Sequence, residues 1–162
     1  MVRPVQELAV QVGDRLRTRG RTLATAESCT GGWIAKVITD VPGSSGWFER
    51  GFVTYSNAAK VDMLGVSEVT LATYGAVSAE TVREMAEGAL AHSQAEVAVA
   101  VSGIAGPDGG SPDKPVGTVW LAWSSRGGAT RSHCYRFSGD REAVRYQSVL
   151  AALEGLMDGL NR

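Results

Sequence analysis

The sequence is poor in the residues that hold metal ions and clip small folds together. Its 162 residues include two cysteines, Cys29 and Cys134, and two histidines, His92 and His133. Two cysteines cannot make a disulfide framework. No C-x-x-C, H-x-x-x-H or carboxylate cluster offers ligands at zinc spacing, so no metal is expected. No run approaches the roughly 18 consecutive apolar residues of a membrane span, and the first 20 residues lack the apolar core of a secretory signal. No membrane partner is therefore expected, and the cytoplasm is the expected location. Neither sign of charge dominates: 16 basic and 17 acidic residues leave a formal net charge of −1. The basic residues are scattered, so nucleic acid is not an expected partner either.

What the chain does have is core material and glycine. A hydrophobic share of 44% over 162 residues suits a single domain, residues 1–162. Glycine occurs 20 times, well above a usual share of about 7%. It gathers at Gly31-Gly32, Gly43 to Gly51, Gly103 to Gly110 and Gly127-Gly128. Loops that bring backbone close to a ligand have this composition.

Apolar spacing predicts helices over Pro4–Arg19, Thr30–Thr39, Ala79–His92 and Asp140–Leu160, with a short one from an Asn57 cap to Leu64. Strands are predicted over Thr22–Ala26, Glu49–Ser56, Val97–Val101, Thr118–Trp123 and Thr130–Phe137, the last two joined by a hairpin turn at Arg126-Gly127-Gly128. Helices that alternate with strands, followed by a late hairpin, predict a mixed sheet with helices on both faces. Ligands of such sheets sit beyond the strand ends.

Four segments could carry chemistry. In Glu27-Ser28-Cys29-Thr30-Gly31-Gly32, a hydroxyl sits between a strand and a helix, where the N–H groups of Thr30, Gly31 and Gly32 could hold an oxyanion. The same serine could simply cap the helix. Cys29, next to it, is the rival thiol nucleophile. In Tyr55-Ser56-Asn57-Ala58-Ala59-Lys60, the lysine falls in the first helical turn, where the helix dipole and burial would favour a neutral amine able to take a serine proton. A solvated surface lysine is the alternative. Ser102 to Gly110, with Gly103 and Gly106, could form an anion nest or only a turn. Arg141, opening the last helix, could meet a phosphate or pair with Asp140 or Glu142.

Five segments stand in order: Ala24-Thr25-Ala26-Glu27-Ser28-Cys29-Thr30-Gly31-Gly32, Phe48 to Asn57, Gly75-Ala76-Val77-Ser78, Ser102 to Gly110 and Lys114-Pro115-Val116-Gly117-Thr118-Val119. Together they make the chain, from about Leu8 to the last helix, closely resemble the C-terminal domain of the competence-damage-inducible protein A (CinA) family. That resemblance implies a three-layer α/β/α sandwich that usually dimerises. It implies deamidation of nicotinamide mononucleotide to nicotinate mononucleotide and ammonia. Ser28 matches the family's catalytic serine, and Tyr55 and Lys60 match its assisting tyrosine and lysine. A small nucleotide is thus the expected partner, with no metal or redox cofactor, and 162 residues leave no room for the metal-dependent module of two-domain relatives. Thr30, Gly31, Gly103, Gly106 and Arg141 are the residues expected to touch substrate. The competing expectation is a domain that binds a nucleotide or a partner without turning it over.

Overall fold

A computed structural model describes residues 4–162, within which six helices and five strands follow one another. In chain order they are α1 (Pro4–Thr18), β1 (Leu23–Glu27), α2 (Trp33–Thr39), β2 (Phe48–Val53), α3 (Asn57–Leu64), α4 (Glu68–Tyr74), α5 (Ala79–Ala91), β3 (Val97–Gly103), β4 (Thr118–Ser125), β5 (Thr130–Arg136) and α6 (Arg141–Leu160). The strands form one mixed sheet in the order β2-β1-β3-β4-β5. β1 is parallel to both β2 and β3, and β4 is antiparallel to β3 and β5. Helices cover both faces, giving the three-layer sandwich.

The two faces differ in the size of their side chains. Along β3, Val97, Val99 and Val101 join a cluster with α1, α2 and α6, whereas Ala98 and Ala100 join one with α5. β1 repeats this, with Leu23 on the first face and Ala24 and Ala26 on the second. Period-two alternation of large and small residues thus sets how near each helix layer comes. Part of the glycine excess also serves packing rather than a ligand. The Trp123 indole lies where a Cβ on Gly155 would stand and donates to the Ala152 carbonyl at 3.0 Å, and Trp47 covers Gly13 in the same way.

Three expectations about local structure are revised. α2 begins at Trp33, not Thr30, because Gly32 at its N-cap takes φ 103° and residues 28–32 form a tight turn. The cap of α3 is Ser56, whose Oγ accepts from Ala59 N at 3.0 Å, not Asn57. α4 was not expected; it has no buried residue and therefore no apolar period to read.

Candidate active site

β1, β2 and β3 run parallel, so the segments that follow them emerge at one edge of the sheet. There Ser28, Cys29, Tyr55, Asn57, Lys60, Ser102, Gly103 and Arg141 line a cleft of about 260 Å³, with Ala76 and Val77 from the turn before α5. A larger hollow of about 400 Å³ lies among α1, α2 and α6, walled by Trp33, Val37 and Tyr146. It contains no nucleophile–base pair, which leaves the smaller cleft as the candidate site.

The turn that carries Ser28 is held from two sides. Glu27, fully buried, turns its carboxylate toward α2, where it accepts from Thr30 Oγ1 (2.5 Å), Ile34 N (2.9 Å) and Ala35 N (3.0 Å). It takes the place of the capping side chain that Gly32 lacks, and its charge suits a helix N-terminus. On the other side, Arg145 of α6 donates to the carbonyls of Cys29 and Thr30, each at 3.0 Å, and stacks over Trp33 at 5.2 Å. Ser28 N donates to Val101 O (3.0 Å), which ties the turn to β3.

Lys60 is 1% exposed. Side chains on a helix point toward its N-terminus, so Lys60 reaches back past Ser56 to the end of β2. Its Nζ lies 3.0 Å from Ser28 Oγ, 3.0 Å from Thr54 O and 3.2 Å from Tyr55 O. Three acceptors satisfy the three hydrogens of an ammonium. With the amine neutral, the two carbonyls take its two N–H groups and the lone pair faces the Ser28 hydroxyl. Burial lowers the Lys60 pKa from its ordinary value. The ion pairs among the described residues, Arg17–Asp14, Lys36–Asp40 and Arg50–Glu49, lie elsewhere.

Other expected site residues stand differently. The Tyr55 side chain is 62% exposed, and its phenol oxygen accepts from Arg141 Nη2 (3.3 Å) rather than meeting Ser28 or Lys60. It is the Tyr55 carbonyl that faces the pair, 3.4 Å from Ser28 Oγ. Gly31 N donates to Ser28 O (3.1 Å), which commits that N–H inside the turn. The backbone N–H groups of Cys29 and Thr30 donate to no backbone carbonyl of the described residues. Gly103 lines the cleft with its backbone packed against Val119, leaving no space for a Cβ. Gly106 turns its carbonyl to Arg141 Nη1 (2.8 Å), which is a contact for a cation and not for an anion.

Cys29 is 8% exposed, and burial pushes its thiol up to about 11. It therefore stays protonated at neutral pH and is a poor rival to Ser28. Glu27 and Thr54 lie in the segments singled out from the sequence but are assigned no role there, and Arg145 is not singled out at all. Only Glu27 had a local signal, a carboxylate at a strand end before a turn. Among the described residues, no group of three or more His, Cys, Asp or Glu is placed to hold a metal ion, and no helix is long and apolar enough to cross a membrane.

These features define an α/β sandwich with a buried serine–lysine pair at the edge of its parallel strands. The chain belongs to the CinA C-terminal domain family, whose model matches residues 5–160. It is 62% identical over 94% of its length to the nicotinamide-nucleotide amidohydrolase PncC of Escherichia coli (strain K12), covering 92% of that protein. It is 60% identical to the protein of the same name from Pseudomonas putida, over 95% of this chain and 96% of that one. The competence/damage inducible protein CihA of Agrobacterium tumefaciens superposes with a TM-score of 0.96 at 48% identity, covering 100% of this chain and 98% of that one.

Proposed function

We propose that residues 1–162 form one amidohydrolase domain that converts nicotinamide mononucleotide to nicotinate mononucleotide and ammonia, with Ser28 as nucleophile and Lys60 as base. The observation that carries this reading is the buried Lys60 Nζ, 3.0 Å from Ser28 Oγ with two carbonyls for its other hydrogens. The names of the relatives supply the substrate class.

In this mechanism neutral Lys60 takes the hydroxyl proton as Ser28 Oγ attacks the carboxamide carbon. The oxyanion settles on the Cys29 N–H at the cleft, since Thr30 is fully buried outside its lining. Arg145 holds the Cys29 carbonyl and so the turn that carries this N–H. The Lys60 proton passes to the departing nitrogen, the C–N bond breaks and ammonia leaves. Water then attacks the acyl ester, giving its proton to Lys60, and Ser28 is regenerated. Arg141 binds the phosphate of the substrate.

The test is ammonia release from the mononucleotide, from free nicotinamide and with EDTA present. Activity on the mononucleotide that survives chelation and exceeds that on nicotinamide supports the reading; no ammonia, or a strict need for a divalent ion, overturns it. Three further outcomes follow from the geometry. Tyr55→Phe should lower kcat no more than about fivefold, since the lost hydroxyl contact is exposed and lies away from the pair. Cys29→Ala should keep kcat within about threefold, because a protonated thiol supplies no nucleophile. Arg141→Ala should raise KM for the mononucleotide by roughly tenfold or more and leave KM for the riboside unchanged. We also propose a cytoplasmic homodimer, for which light scattering should give twice the chain mass.

A further inference from the structure

Ser102 ends the small-residue side of β3. It follows Ala98 and Ala100 in the alternation, on the face toward α5. It is 1% exposed and lines the cleft beside Ser28 and Lys60. The Val101 carbonyl that receives Ser28 N–H at 3.0 Å belongs to the peptide joining Val101 to Ser102, so nucleophile and hydroxyl are held to one point of the sheet. No group of the described residues forms a hydrogen bond with Ser102 Oγ. The enclosed side-chain oxygens without a partner are those of Thr25 and Thr54; the Ser102 hydroxyl differs from them in opening onto the cleft. A buried hydroxyl without a protein partner costs stability, and a ligand that supplies the partner recovers it.

We propose that Ser102 is a specificity-determining residue that accepts one N–H of the substrate carboxamide and so selects amides over esters. The inference rests on the amidohydrolase reading above. With the carboxamide oxygen at the Cys29 N–H and its carbon at Ser28, the nitrogen falls toward β3. An amide brings two N–H groups into this enclosed cleft, and one left unpaired there is penalised. An ester brings none. Ser102 Oγ therefore accepts a hydrogen bond from the scissile group only when that group is an amide; toward an ester its hydroxyl can only donate.

The experiment compares ammonia release from nicotinamide mononucleotide with hydrolysis of the methyl ester of nicotinate mononucleotide, for wild type and Ser102→Ala. Removing one oxygen from a site that does not bond it within the protein should leave folding intact, which a thermal melt checks. The expected result is a kcat/KM loss of roughly 30-fold for the amide and less than about threefold for the ester. A merely structural role would lower both equally. Ser102→Thr, which keeps the hydroxyl, should restore the amide-to-ester ratio even if its added methyl lowers both rates. Equal losses on the two substrates, or no loss on the amide, overturn the role of Ser102 while leaving the amidohydrolase reading intact. A wild-type protein inactive on the amide overturns both.

Discussion

Ser28→Ala, Lys60→Ala and the double variant are expected to lose nearly the same activity, roughly 10³-fold or more in kcat. In the proposed mechanism both side chains serve one proton-coupled attack. Once either is gone the other has nothing to act on, so the losses do not add. Lys60→Arg should fail as badly as Lys60→Ala, because a guanidinium holds its proton throughout the working pH range. In the wild type, kcat/KM should rise with pH and level off as Lys60 loses its proton, at a pH below the ordinary lysine value of 10.5. Stability changes in the same direction. The folded state lets go of the Lys60 proton at lower pH than the unfolded chain does. Between the two pKa values the unfolded chain binds more protons, and stability rises with pH. The penalty for burying Lys60 is complete below the folded value and gone above 10.5. Urea titrations of wild type and Lys60→Met across pH measure this: wild type should gain stability relative to the variant as pH rises, and a wild type that lost ground would contradict the burial argument. Near wild-type kcat in Lys60→Arg would remove lysine from the role of base.

Glu27→Gln should cost about 2–4 kcal/mol of stability, although the number of heavy atoms is unchanged. The carboxylate accepts from a hydroxyl and two helix N–H groups. An amide has one acceptor oxygen, and its NH2 must face at least one of those donors. A buried N–H is left without a partner, and the negative charge at the start of α2 disappears. For a chain of this size the melting temperature should fall by roughly 5–15 °C. Circular dichroism melts measure the shift, and kcat well below the melt reports whether the Ser28 turn has loosened. A variant melting with the wild type would show that Glu27 does not cap α2.

The sequence made the sandwich legible because a 3.6 period was clear along α1, α5 and α6, while the strands stood out as short apolar or β-branched and aromatic runs. It also singled out Ser28 and Lys60, which the fold brings to within 3.0 Å of each other. What it could not carry was direction. Tyr55 stands at a strand end, and whether its phenol or its carbonyl faces the cleft depends on the pleat at Val53 and Thr54. Gly31 offers an N–H to any oxyanion on paper, and the turn closes on Ser28 O only once Glu27 and Arg145 grip it. The Ser28–Lys60 contact spans 32 residues, and the Arg145 contacts span more than 100. No local pattern encodes separations of that kind.

Ser28, Lys60 and Ser102 follow or end three strands that are immediate neighbours, with β1 in the middle. Adjacent strands lie about 4.8 Å apart, a spacing set by backbone hydrogen bonds and the same in every sheet. The sheet thus acts as a ruler for the reaction. The two serines stand one division apart, at the ends of β1 and β3, and the lysine reaches them from α3. A substitution that tilts α5 acts on the reaction through α3, whose Leu64 backbone lies against Gly88, and so shifts the lysine before the two serines.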